Sequence, residues 1–166
     1  MHNWEIEDPY LRTWVLMGQS FEAAYRAVQV ELGQYQLTLA QFHILMLLDS
    51  ATVPLSPGQI AAYVFREKHT VSTLLIRMEK AGYIERAKSD DDERVIWAQI
   101  KPKGQLLLTK VKGGILGYAH NLMATCFDLE EISNLASHLK KLRNHAVEEL
   151  GQTVQELPPI FRATGL

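Results

Sequence analysis

Between Lys68 and Lys80, polar side chains (Lys68, His69, Thr70, Ser72, Thr73, Arg77, Lys80) are interleaved with apolar ones at the period of an α-helix. Val71, Leu74, Leu75 and Met78 fall at i, i+3, i+4 and i+7, so one face is built for burial. The other face offers short donors and acceptors that suit planar polar edges, and cations that suit phosphates. That is the chemistry of recognition. For bond-making chemistry the chain has little: no Gly-rich phosphate loop, no GxSxG, no HExxH, and one cysteine, Cys126, with no partner motif. Acidic residues cluster only at helix starts and in the run Asp90 to Glu93, so the chain reads as a non-enzyme with no cofactor.

Six histidines raise the question of a metal. His138 and His145 share a helix face and Glu149 follows His145 by one turn, while His43 and His120 sit elsewhere. Ligands on one helix come at i, i+3 or i+4 with a further group nearby, and only the pair His145 and Glu149 meets that spacing. Surface or interface histidines are the expectation, with no metal. Cys126 is expected to be a small buried hydrophobe.

The elements around the polar face follow from local signals. Asp8-Pro9 opens a helix that runs to Leu32, with Gly33 as its stop. Its apolar residues form two lines, one through Trp14, Met17, Phe21, Ala24 and Val28 and one through Leu11, Val15, Tyr25 and Leu32, which implies two partners. Thr38 and Gln41 have capping-box spacing before a helix burying Phe42, Leu45, Met46 and Leu48, and Ala51 to Leu55 is a connector. Ser56-Pro57-Gly58-Gln59 repeats the capping logic for a short helix with Ile60, Ala61 and Val64 inward. Glu67 is placed to cap the helix carrying the polar face, and Ala81-Gly82 ends it.

Tyr83 to Lys88 and Arg94 to Ile100 are strand-like and joined by the acidic turn SDDDE. Pro102 starts another helix, in which Gln105 to Phe127 carries Gly113, Gly114 and Gly117. Three glycines predict a bend or a close helix–helix contact there. Asp128 and Glu131 cap a last helix whose stripe is Ile132, Leu135, Leu139, Leu142, Ala146 and Leu150, closed by Gly151. Past Leu157 little regular structure is expected.

From Ser56 to Gly104 the order is therefore helix, turn, helix, strand, acidic turn, strand, the layout of a winged helix-turn-helix. The expected fold is α+β and mostly helical. With 166 residues the chain is long enough to bury roughly two-thirds of its unfolded surface. The longest clean apolar run, Ile44 to Leu48, falls far short of the about 20 residues of a membrane span, and MHNWEIEDPY lacks a signal pattern. Both features predict a cytoplasmic protein with no membrane partner. Net charge is −2, yet Arg66 to Lys88 holds six basic residues against three acidic ones, a local excess of +3. Phosphate attraction depends on the face and not on the total, so polyanion binding survives the overall balance.

Four segments in order, LTLAQFHIL at Leu37, LSPGQIA at Leu55, VSTLLIRMEKAGYIER at Val71 and DERVIWAQIKPKG at Asp92, resemble the multiple antibiotic resistance regulator (MarR) family of winged-helix transcription factors. In the last segment Asp92, Arg94 and Gly104 agree with the family's wing pattern, whereas Ile100 and Lys101 stand where the family has leucine and threonine. Lys101 has no acceptor to cap the following helix.

The resemblance implies a DNA-binding lobe at 37–104, with 1–36 and 105–166 forming a helical dimerisation region. It implies that Lys68, His69, Thr70, Ser72, Thr73 and Arg77 face the major groove of double-stranded DNA. Arg94 would enter the minor groove, paired with Asp92 and near Lys88, and Ser56 is a candidate phosphate contact. A homodimer then reads a pseudo-palindromic operator as a repressor, released by a small aromatic or amphipathic ligand. Trp14, Tyr25 and His43 are possible cleft residues, equally explained by core packing. The rival reading is a winged-helix module for protein–protein assembly without DNA binding, and an enzyme using a helical pocket is the weaker third.

Overall fold

The computed structural model describes residues 7–88 and 96–151. It contains six helices and a two-stranded antiparallel sheet among those residues: α1 Pro9–Gly33, α2 Leu39–Ser50, α3 Pro57–Val64, α4 Lys68–Lys80, β1 Ile84–Lys88, β2 Ile96–Ile100, α5 Pro102–Ala124 and α6 Leu129–Glu149. By compactness the chain divides into two units, at residue 39.

In the first part Asp8 caps α1 as its sequence predicts, its carboxylate accepting from the amides of Tyr10 (2.7 Å) and Leu11 (3.1 Å) with Pro9 at the first turn. The helix ends at Gly33 as expected, while the left-handed residue of the turn that follows is Gln36, with φ 55°. A side chain closes this end: Gln29 Nε2 donates to the Leu37 carbonyl (3.1 Å), and Gln29 Oε1 accepts from the Leu39 amide (2.9 Å). Along α1, Leu32 is buried, whereas Trp14 is 64% exposed.

The second part holds most of the core. α2 buries Phe42, Ile44, Leu45, Met46, Leu47 and Leu48, apolar nearly all round rather than on the one side its sequence predicts. Ile60 and Ala61 of α3 are buried, with Val64 only half so. They join Val71, Leu75 and Met78 of α4, Ile84 of β1 and Ala98 of β2. Burying a side chain of this size contributes roughly 1.5–3 kcal/mol each, which fixes α4 by one face.

β1 and β2 pair in the register Ile84↔Ile100, Arg86↔Ala98 and Lys88↔Ile96. Leu55, read as connector, adds a one-residue third strand: its amide donates to the Ala98 carbonyl (3.0 Å) and its carbonyl accepts from the Ala98 amide (2.8 Å). An isolated hairpin is marginal in water, and this bridge and the helices behind it give the pair support.

α5 begins at Pro102 as anticipated, and Lys101 makes no side-chain cap. Gly104 has a steric reason: a Cβ there would overlap the Tyr83 carbonyl oxygen and press on Ile100. Gly113, Gly114 and Gly117 have none among the described residues, since a Cβ at each would meet nothing within 4 Å. The expected close helix–helix contact at these glycines is thus not made by the described residues. α6 opens with the predicted reciprocal box, the Glu131 amide donating to Asp128 (2.8 Å) and the Asp128 amide to Glu131 (3.0 Å). Gly151 ends it with φ 64°. Cys126 is exposed in the turn before α6, not buried as its sequence context implies.

Candidate nucleic-acid interface

α3 and α4 are joined by a tight turn whose pieces are individually legible. The Ser56 Oγ accepts from the Gln59 amide (3.3 Å) and Gln59 Oε1 accepts from the Ser56 amide (2.9 Å), so the capping box closes both ways. The Ser56 hydroxyl proton stays available to an outside acceptor. At the other end Phe65 takes the left-handed conformation, with φ 50°, and is 57% exposed. An aromatic residue is costly at such a φ, where Gly or Asn is usual. Its left-handed turn reverses the chain, and the Arg66 amide then donates back to the Ala61 carbonyl (3.1 Å).

α4 starts at Lys68. Glu67 holds the N-cap position but its carboxylate makes no cap bond, contrary to the expectation from sequence. Glutamate is one methylene longer than aspartate and poorly placed to fold back on the next amides. The buried stripe of α4 leaves Lys68, His69, Thr73, Arg77 and Lys80 exposed and Thr70 and Ser72 partly so. The six predicted recognition residues are therefore brought together on one solvent-facing side. Three hydroxyls there are engaged locally: Ser72 Oγ donates to the Lys68 carbonyl (2.9 Å), Thr73 Oγ1 to the His69 carbonyl (3.1 Å), and Thr70 Oγ1 lies 3.3 Å from His69 Nε2. Ile76 shares this face, 40% exposed, and the sequence pattern did not single it out.

The local positive charge is smaller than a residue count implies. Arg86 is tied to Glu79 by two guanidinium bonds (2.7 and 3.0 Å), and its amide donates to the same carboxylate (3.2 Å). This pair bolts the end of α4 to β1. Lys103 Nζ donates to the Ala81 carbonyl (2.7 Å) and sits over the Tyr83 ring at 5.2 Å. The Gly82 turn at φ 77° lets the chain pass from α4 into β1. Lys88 ends β1 and is exposed. Asp92 and Arg94, the expected wing pair, lie outside the described residues, as do Asp90, Asp91 and Glu93.

His43 lies on α2 with its ring 6.2 Å from that of Phe42. Desolvation by the surrounding protein holds its pKa below the usual histidine value, and the Arg66 cation adds to the shift. The side chain nonetheless keeps an exposed edge. Among the described residues no three His, Cys, Asp or Glu side chains come together as a metal site. None of their helices is long and apolar enough to cross a membrane.

A short capped helix, a reversing turn, a second helix with its polar face outward, and a hairpin behind it define a winged helix-turn-helix. Residues 35–95 match the family model described as "MarR family". The HTH-type transcriptional regulator PecS of Dickeya dadantii is 27% identical over 124 residues, 74% of each chain. TtmR of Methylorubrum extorquens is 29% identical over 145 residues, 84% of this chain and 67% of that protein. The solved structure of an organohalide-sensing transcriptional regulator in its 2,4-dichlorophenol-bound form aligns with a TM-score of 0.83 at 26% identity, over 96% of this chain and 94% of that one. Residues 35–95 thus match the MarR family, and over most of its length the chain is similar to DNA-binding transcription regulators of that kind.

Proposed function

We propose that the protein is a homodimeric repressor that binds a pseudo-palindromic operator and is released by a small aromatic ligand. One observation carries this reading: α4 buries Val71, Leu75 and Met78 completely and turns Lys68, His69, Thr73 and Arg77 outward. A helix seated that way can enter a major groove, with its first turn toward base edges and Arg77 within reach of phosphate or guanine. Thr70 and Ser72 complete the set. Lys88, with Asp92 and Arg94, would serve the neighbouring minor groove, and Ser56 a phosphate.

The partition into a lobe at 37–104 and terminal dimerisation segments belongs to the same proposal. Apolar side chains left exposed on α5 and α6, among them Leu116, Leu139 and Leu142, support a second copy as their cover. Two α4 helices about 34 Å apart would then meet successive major grooves on one side of the duplex. The ligand class is carried over from the dichlorophenol-bound regulator named above.

Titration of duplexes selected from a random pool, across a range of salt concentrations, tests the reading. Binding should weaken steeply with salt, and Arg77→Ala and Thr70→Ala should each reduce affinity at unchanged melting temperature. Salt-insensitive or absent duplex binding would favour a protein-assembly module instead. Sedimentation of the free protein as a monomer at micromolar concentration would remove the dimer.

A further inference from the structure

Ile76 keeps more of its branched side chain in water than the other apolar residues of α4 do. It lies one turn beyond Thr73 and two beyond His69, roughly opposite Val71, Leu75 and Met78, and is 40% exposed. A β-branched residue on a solvent-facing helix surface is a poorer helix former than alanine and leaves apolar area in water. Its polar neighbours do not compensate. The hydroxyl protons of Ser72 and Thr73 are engaged by the helix's own carbonyls, those of Lys68 and His69. At its middle, then, the outward face of α4 presents a branched alkyl group, with Arg77 beside it and Lys80 one turn on.

The major-groove edges of the four bases carry hydrogen-bonding groups and one alkyl group, the C5 methyl of thymine. Cations at Lys68, Arg77 and Lys80 match the phosphates on either side of such a groove, so the alkyl patch is centred where base edges pass. We infer that Ile76 is a specificity-determining residue that contacts a thymine methyl in each half-site. The inference rests on α4 being the groove-reading helix, and adds which base that helix selects at its centre. It also gives the engaged hydroxyls a place: they restrain their side chains beside the alkyl contact instead of competing for donors at that base pair.

The test removes one methyl at a time from the DNA. A duplex selected by the full-length wild-type chain from a random pool is remade with each thymine in turn replaced by deoxyuridine. Wild type should lose about fourfold in affinity, the value of burying one methyl, at a single thymine per half-site. Ile76→Ala should bind the parent duplex more weakly and show no further loss at that same thymine, while Ile76→Val keeps part of the discrimination. Alanine is the better helix former, so circular dichroism should show the Ile76→Ala fold intact. Uracil tolerated everywhere by wild type, or equal losses in wild type and Ile76→Ala, overturns the inference and leaves duplex binding standing. No duplex bound by wild type at any salt overturns both.

Discussion

α4 and α6 are both amphipathic, and they settle their apolar stripes in opposite ways. α4 buries Val71, Leu75 and Met78 fully against its own chain and leaves a polar, cationic face outside. α6 leaves Leu139 at 45% and Leu142 at 40% exposure, with Leu150 at its C-cap 68% exposed and only Val147 buried. A helix covered by its own chain keeps its outer face free for a partner of different chemistry. A helix whose apolar stripe is uncovered asks for a protein surface, and the reciprocal box at Asp128 and Glu131 shows that it is otherwise well formed. The two helices thus offer outer faces of different chemistry, one polar and cationic and one apolar.

The sharpest way to break the contrast is at the buried stripe. Leu75→Ala should cost about 3 kcal/mol in urea unfolding and take duplex binding with it, because α4 loses its anchorage. Gly104→Ala comes next, at roughly 2 kcal/mol, since the new methyl collides with backbone at Tyr83 and backbone cannot swing aside. Replacing both Leu139 and Leu142 by Ala should hardly change the fold of one chain. It should instead raise the protein concentration at which the proposed dimer forms, read by sedimentation.

Arg86→Ala should cost about 1 kcal/mol, as the pair with Glu79 is only partly buried, and its signature would be a looser α4–β1 junction in amide exchange. The smallest effect is acid-linked. His43 has its folded pKa lowered by desolvation and by Arg66, so the unfolded chain binds the proton more readily. Its contribution is therefore fully present above the ordinary histidine value of about 6.5 and is lost as pH falls toward the folded value. His43→Gln should flatten that part of a stability-against-pH curve.

Much of this was legible in the sequence because the signals are local. Ser56 with Gln59, Asp128 with Glu131, and prolines at 9, 57 and 102 each announce a helix start within one turn, and the structure has those starts. The stripe through Val71, Leu75 and Met78 fixed which side of α4 faces out. What escaped depends on residues far apart in the chain. Leu55 forms its β-bridge only because Ala98 comes alongside it. Arg86 counts as a free cation until Glu79 is seen to hold it. Ile76 reads as one more apolar residue until its exposure is known. Residue type suggests a cap at Glu67 and a core position for Cys126, and the geometry provides neither.

The junction around Gly104 has a mechanical consequence. The Tyr83 carbonyl accepts from the Lys101 amide (2.9 Å), the Lys103 ammonium reaches back to Ala81, and the missing side chain at Gly104 lets the backbones touch. Three contacts therefore hold the first turn of α5 against the exit of α4. A side chain at position 104 would thus push the start of α5 away from the exit of α4.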